Sequence, residues 1–228
     1  MNKKKIGVVV AVEIDAVLSK YGESKETLKK RGYTVHTYEN EAFVMYVLDS
    51  GPGEIPAAAG TQYLISEFDV DIILNFGAVG ALTKEMATAE LCVVEKVIHY
   101  DFDTTDWNGL PCGQYPEQLS PYIATDAELL DKAVEIYPAL VKVVCASGDK
   151  FVDAAEKKAE LHEKYGADIC EMESAGILRT CRRNGVPCLM IKAVSDSLTG
   201  GAKEFMTELR RVSEICFDVV DKIIRSLI

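Results

Sequence analysis

Residues 6–12 read IGVVVAV, a near-continuous apolar run of the kind that forms a strand buried on both faces of a sheet. Further strand-like runs follow along the chain, at residues 71–77, 91–98 and 141–146. Segments with helical spacing alternate with them, at residues 57–68, 127–136, 154–165, 174–184 and 202–227. Residues 33–38 and 43–48 alternate in polarity, which is typical of a meander near a sheet edge. This order predicts an α/β fold, a three-layer sandwich with a central mixed sheet.

The composition predicts a single α/β domain over residues 1–228. Hydrophobic residues make up 48% of the chain, enough to bury a substantial core. The net charge of −11 argues against a nucleic-acid-binding surface, because neutralising phosphates needs clustered Lys and Arg. No apolar run reaches the ~18 residues that span a bilayer, and residues 6–12 are too few for the core of a signal peptide. We therefore expect a cytoplasmic protein without membrane contact.

The seven cysteines and three histidines show no spacing typical of a metal site or of a disulfide framework. The cysteines are scattered and odd in number, and no C-x-x-C pair is present. The glycine runs match neither G-x-G-x-x-G nor a Walker loop, which argues against binding of dinucleotides or nucleoside triphosphates. We therefore expect no metal and no cofactor.

Five strand-like segments end in glycine, serine or a carboxylate: residues 50–53 (SGPG), 77–80 (GAVG), 147–149 (SGD), 171–173 (EME) and 195–196 (SD). A glycine at one strand end most often marks only a turn. Because ligands bind at the carboxyl ends of strands in open α/β sheets, five such endings together predict a single pocket for a small polar molecule. The carboxylates at two of them suit one acid that hydrogen-bonds hydroxyl groups and another that carries a proton.

These motifs, together with residues 5–13, resemble the purine nucleoside phosphorylase/uridine phosphorylase superfamily. They keep the order and approximate spacing of that family from near residue 5 to Phe205. Within it, the chain is most similar to the 5′-methylthioadenosine/S-adenosylhomocysteine nucleosidases. The resemblance implies an enzyme that breaks the N-glycosidic bond of a purine nucleoside through a cation-like sugar, releasing free base and pentose.

The resemblance implies catalytic roles for Asp196 and Glu173. Asp196 matches the general acid that protonates a ring nitrogen of the leaving base, although the residues alone fit an N-cap of the final helix equally well. Glu173 matches the carboxylate that binds the ribose hydroxyls and stabilises the positive sugar. Taken in isolation, Glu173 would rather be an exposed first-turn glutamate that the helix dipole favours.

The same resemblance implies substrate contacts for five further residues. Phe151 stacks on the base, the backbone of Val152 reads the edge of the base, and Met172 packs against the sugar. The hydroxyl of Ser195 holds the general acid in place, and Ala78 occupies a turn where the family has a small hydroxyl residue. Without the resemblance, Phe151, Val152 and Met172 would be ordinary core residues.

Two positions near the expected nucleophile depart from the family. In these nucleosidases a glutamate activates the attacking water, and ungapped counting places Asp15 there, with Glu13 as the alternative. Lys192 stands where the family usually has an arginine. We expect Asp15 and Lys192 to form a matched pair, in which the lysine positions the carboxylate or its water and keeps the carboxylate ionised.

Two other functions stay open. A nucleoside phosphorylase would use phosphate in place of water and needs arginines around the anion, but no arginine follows the first or the third strand. Glu13 and Asp15 would also repel phosphate. A protein that binds a nucleoside without turning it over would fit the departures at Asp15, Ala78 and Lys192.

Residues 101–121 form a long polar loop that contains several aromatic residues. Long ordered loops in compact domains are often functional. In the family, a loop at this place reaches over the pocket of the neighbouring subunit, so the resemblance implies a homodimer. The loop could also pack on its own chain. The expected partners are therefore a small nucleoside and a second copy of the chain.

Overall fold

The structure is a computed structural model that describes residues 3–226. Its strands are β1 (Lys4–Val10), β2 (Glu26–Lys30), β3 (Tyr33–Glu39), β4 (Phe43–Asp49), β5 (Ile72–Ala81), β6 (Leu91–His99), β7 (Tyr122–Ala124), β8 (Val141–Ser147), β9 (Ile169–Glu171) and β10 (Cys188–Asp196). Its helices are α1 (Ile14–Tyr21), α2 (Glu54–Phe68), α3 (Thr105–Asn108), α4 (Ala127–Ile136), α5 (Ala155–Tyr165), α6 (Ser174–Asn184) and α7 (Ala202–Ser226). Residue 227, predicted as the end of the last helix, lies outside the described residues. The prediction of an α/β fold with a central mixed sheet is confirmed.

The strands form one sheet in the order β10-β6-β8-β9-β5-β1-β4-β3-β2, with β7 beside β6. In the open half, β1 pairs in parallel with both β4 and β5. The other half curls round, because β10 pairs in parallel with β5 and antiparallel with β6. The path from β5 through β9, β8 and β6 to β10 therefore closes on itself. This curl, rather than one straight parallel edge, brings the functional strand ends together.

Helices cover both faces of the sheet. On one face α7 packs against β5 and β10, with α1 and α4 beside it, and the ring centroids of Phe217 and Phe76 lie 5.0 Å apart. On the other face α2 packs against α6, where Leu64 and Ile177 share a buried cluster with Ile73 of β5. Two apolar layers thus enclose the sheet, which gives the predicted three-layer arrangement.

The strand β2 was not predicted from the sequence. Its residues ETLKK are largely exposed and show no apolar alternation, so the strand exists only through its antiparallel pairing with β3. None of the helices within residues 3–226 is long and apolar enough to cross a membrane.

Candidate active site

A cavity of about 340 Å³ opens where β5, β9 and β10 end. Asp196 pairs with Gly80, and Gly80 pairs with Cys170, so the three strands meet at their last residues. Residues 11–13, which follow β1, and residues 150–152, which follow β8, complete much of the lining. The volume suits a small organic ligand.

The cavity brings most of the predicted site residues together. Those that line it are Ala78, Phe151, Val152, Met172, Glu173 and Asp196. Ser195 is fully buried, and its hydroxyl lies 2.8 Å from Oδ1 of Asp196, as expected for a residue that holds the general acid. Asp15 is exposed and does not line the cavity.

Glu13 occupies the place in the cavity that counting assigned to Asp15. It directly precedes α1 and is only 5% exposed. Its Oε2 accepts hydrogen bonds from the backbone N–H groups of Ala11 at 3.2 Å and Val12 at 2.9 Å. Its Oε1 accepts a third from the N–H of Ala78 at 3.0 Å. These donors hold both oxygens and fix the orientation of the carboxylate in the cavity.

The backbone leaves space for this carboxylate only because residue 77 is glycine. A Cβ at Gly77 would lie 2.6 Å from Oε1 of Glu13. Asp15 sits two residues further on, in the first turn of α1, which begins at Ile14. Two residues of an α-helix turn the side chain by about 200°, so Asp15 faces solvent instead. The expected position of Asp15 in the site is therefore corrected: Glu13, the alternative that the sequence left open, lies in the cavity, and Asp15 lies outside it.

Lys192 does not pair with Asp15 as we had expected. It is buried on β10, and its Nζ lies 3.1 Å from Oε2 of Glu171, which is also buried. Burial lowers the pKa of Lys192, but the attraction of Glu171, together with smaller contributions from other acidic groups nearby, outweighs burial and raises that pKa above its ordinary value. Burial likewise raises the pKa of Glu171, yet Lys192 and the hydrogen bonds to the carboxylate leave it lowered. The two groups form a buried ion pair at the edge of the cavity, which Glu171 lines and Lys192 does not.

Glu173 is placed by the start of α6. It is the N-cap residue of that helix, and its Oε1 accepts a hydrogen bond from the N–H of Gly53 at 2.8 Å. Glu171 accepts from the N–H groups of Glu173 at 3.1 Å and Ser174 at 3.0 Å, which fixes the first turn. Burial, together with the charge of Glu171, raises the pKa of Glu173 to about 8. Its environment is thus the cavity and not the exposed first turn that the isolated sequence would favour.

Asp196 ends β10 and is 2% exposed. It does not cap the final helix, because α7 begins only at Ala202, whose N–H donates to Oδ1 of Asp153 at 2.7 Å. Its Oδ1 faces Ser195, and its Oδ2 accepts a hydrogen bond from Nζ of Lys158 at 2.5 Å. No signal in the sequence marked Lys158, which lies among other lysines of α5.

A model of the phosphorylase superfamily matches residues 5–225, which is nearly the whole chain. The chain belongs to this superfamily. It is 31% identical over 201 residues to a 5′-methylthioadenosine/S-adenosylhomocysteine nucleosidase of an Exiguobacterium species, covering 85% of both chains.

Two solved structures show the same fold at similar identity. A Helicobacter pylori 5′-methylthioadenosine/S-adenosylhomocysteine nucleosidase, in complex with a substituted pyrrolidin-3-ol, is 27% identical with a TM-score of 0.94, over 99% of this chain and 100% of that one. A futalosine hydrolase of H. pylori is 26% identical with a TM-score of 0.92, over 98% of both chains.

Two aromatic side chains lie at the opening of the cavity. Phe151 is 46% exposed, and its ring contacts Phe205 of α7 edge-on, with centroids 5.4 Å apart. Both residues line the cavity. An exposed aromatic face beside a cavity suits stacking on a heterocyclic base.

The predicted long loop begins after β6 and contains α3. The rings of Phe102 and Tyr115 stack with centroids 4.0 Å apart, and the guanidinium of Arg179 lies 3.4 Å from the centre of the Tyr115 ring. Trp107 and Leu119, by contrast, are largely exposed. Part of the loop thus packs on its own chain, while Trp107 and Leu119 present apolar side chains to solvent.

Proposed function

We propose that this protein is a purine nucleosidase that hydrolyses the N-glycosidic bond of 5′-methylthioadenosine, S-adenosylhomocysteine or a related nucleoside. The observation that carries the proposal is the carboxylate of Glu13. Three backbone N–H groups hold it in a cavity that also contains Glu173 and Asp196. A nucleosidase needs three such groups: a base for water, a carboxylate for the sugar and an acid for the purine.

Each of the three carboxyl groups acts in a different step of this reaction. Asp196 gives a proton to a ring nitrogen of the purine, so that the electrons of the C1′–N bond can leave with the base. Glu173 binds the ribose hydroxyls, and in its ionised form it stabilises the positive charge that forms on the sugar. Glu13 takes a proton from water, whose oxygen then bonds to C1′. The products are the free base and a pentose, and proton exchange with solvent restores Asp196 and Glu13.

A phosphorylase fits this cavity less well. The nucleophile would be a phosphate anion, which the carboxylate of Glu13 would repel. The cavity lining in the described part of the chain includes no arginine, and the buried Lys192 is already paired with Glu171. A protein that only binds nucleosides would not need a carboxylate that three N–H donors hold in this position.

We further propose that residues 1–228 form one domain that assembles as a homodimer in the cytoplasm. The continuous sheet supports a single domain. The exposed side chains of Trp107 and Leu119 on the long loop, and of Ile55 at the start of α2, offer apolar surface to a second copy. The seven cysteines are free thiols, which suits a reducing compartment.

The proposal is tested by identifying the sugar that is released. The protein is incubated with methylthioadenosine, S-adenosylhomocysteine, adenosine or inosine, each with and without phosphate. We expect free base and free pentose without any need for phosphate. A sugar 1-phosphate as the main product would indicate a phosphorylase, and tight retention of radiolabelled nucleoside without release of base would indicate a binding protein.

A further inference from the structure

Lys158 is the one lysine of α5 whose side chain is fully buried. Its ammonium has three protons, and each has an acceptor: Oδ2 of Asp196 at 2.5 Å, the carbonyl of Ser197 at 2.7 Å and the carbonyl of Gly200 at 3.0 Å. Its neighbour Lys157 is exposed and pairs with Glu160 on the surface of the helix. Nothing in the pattern of the helix requires a charged residue at position 158.

Burying an ammonium group is unfavourable unless a partner compensates for the lost water. If the carbonyls of Ser197 and Gly200 were its only acceptors, Lys158 would be a residue that anchors the turn after β10. The contact with Asp196 is different, because it joins the cation to the proposed general acid. When Asp196 loses its proton to the purine, a negative charge forms on a carboxylate whose Oδ2 already touches this ammonium.

The hydroxyl of Ser195 fits both protonation states of Asp196. It has a single proton but two acceptors within reach, the carbonyl of Val79 at 3.0 Å and Oδ1 of Asp196 at 2.8 Å. With Asp196 ionised, that proton can turn to Oδ1; with Asp196 protonated, it can turn to Val79. Neither state leaves the hydroxyl without a partner.

We propose that Lys158 is a positioning residue that strengthens Asp196 as a proton donor, by stabilising the carboxylate formed when the purine leaves. This inference rests on the proposed function. The proton moves from Asp196 to a ring nitrogen of the base, the electrons of the C1′–N bond go to the base, and Lys158 keeps all its protons. The ammonium acts only through charge and hydrogen bonding.

Other ionisable groups around the pair do not take over this role. Cys170 on β9 lies close to Gly80 and Asp196, but burial raises the pKa of its thiol to about 12 and keeps it neutral. Glu204 on α7 accepts from the N–H of Ser197 at 3.1 Å and from its hydroxyl at 2.9 Å. Burial raises the pKa of Glu204, but these hydrogen bonds, another from Thr88 and the charge of Lys158 together outweigh burial and lower that pKa, so the group is an anion. Within residues 3–226, Lys158 is the cation that contacts Asp196.

The test compares leaving groups that need a proton with leaving groups that do not. Methylthioadenosine needs protonation of its base, whereas 4-nitrophenyl riboside and 7-methylinosine release their leaving groups without it. Lys158→Met removes the charge, and Lys158→Gln removes the charge but keeps donors for the carbonyls of Ser197 and Gly200. Lys157→Met is the matched control on the exposed face of the same helix. Melting curves and circular dichroism establish that each variant is folded.

We expect both Lys158 variants to lose ~10-fold or more in kcat on methylthioadenosine, a share of the 10²–10⁴-fold that general acids contribute. The loss in kcat of these variants on the two activated substrates should be several-fold smaller. The Lys157→Met variant should have the kcat of wild type on all three substrates. Adding Lys158→Gln to Asp196→Asn should cause no further loss on methylthioadenosine, because no carboxylate then forms.

Two results would count against the inference, and they are distinguishable. If wild type cleaves all three substrates and Lys158→Gln loses equally on each, Lys158 only anchors the turn and the inference is wrong. If wild type releases no base from methylthioadenosine or from the activated substrates, the proposed function fails, and the inference fails with it.

Discussion

Replacing Glu13 by glutamine removes the proposed base while keeping the size of the side chain. Glutamine has one side-chain oxygen, so it can accept from the N–H of Ala78 or from those of Ala11 and Val12, but not from both sides. Its NH₂ group must then face a backbone donor inside the cavity. Leaving such a donor unsatisfied costs about 1–3 kcal/mol, so the variant should melt earlier but still fold.

The expected effect on catalysis is larger. An amide cannot take a proton from water, and loss of a general base costs ~10²–10⁴-fold in rate. Asp15→Asn is the matched control, since it makes the same chemical change two residues away on an exposed turn. Surface substitutions of this kind change the free energy of unfolding by up to about 0.5 kcal/mol. Because Asp15 does not line the cavity, turnover should stay close to that of wild type.

The assay is the release of free base at saturating methylthioadenosine, with melting curves for all three proteins. A loss in Glu13→Gln alone supports Glu13 as the base. Glu13 is not the base if Asp15→Asn loses most of its turnover while Glu13→Gln, folded, keeps it. That outcome would mean that α1 rearranges when substrate binds and brings Asp15 to the water.

Three further predictions concern the other two carboxylates. Asp196→Asn should lower turnover by ~10²-fold or more while nucleoside binding, measured by calorimetry, survives; unchanged turnover would remove Asp196 from the mechanism. Glu173→Gln should slow cleavage of ribosides more than of 2′-deoxyribosides, which lack a hydroxyl partner for the carboxylate, and equal losses would show that Glu173 does not hold the sugar. Because burial raises the pKa of Glu173 to about 8, the folded protein keeps a proton on this group that the unfolded chain releases near pH 4 to 5. The stability linked to that proton is full at low pH and is lost as pH rises towards about 8, by up to about 1.4 kcal/mol per pH unit. Urea unfolding of wild type and Glu173→Gln from pH 5 to 9 should therefore show wild type losing stability relative to the variant, and a constant difference would contradict the raised pKa.

The chemical groups at the strand ends could be predicted from the sequence, because they depend only on the order of neighbouring residues along the chain. An apolar run followed by Glu171-Met172-Glu173, and another followed by Ser195-Asp196, places carboxylates at the ends of buried strands. Strand ends in α/β proteins collect ligands, so Glu173 and Asp196 were candidates by position, and the resemblance to the superfamily favoured them over helix-terminus roles. The cavity contains both.

The sequence alone did not determine which carboxylate after β1 faces the cavity. That choice depends on where α1 begins, and helix boundaries are the least reliable part of a sequence-based prediction. With α1 starting at Ile14, Glu13 points to Gly77 and Ala78, and Asp15 turns to solvent.

The pairing of buried charges was decided by tertiary structure. Lys192 meets Glu171 across 21 positions of the chain, and Lys158 meets Asp196 across 38. Neither spacing follows from a helical or strand period, because the partners lie on different elements that touch only after the sheet curls and α5 packs over it. Sequence order determined which chemical groups reach the strand ends. The three-dimensional packing determined which of these groups have a charged partner, and therefore which buried charges are stabilised.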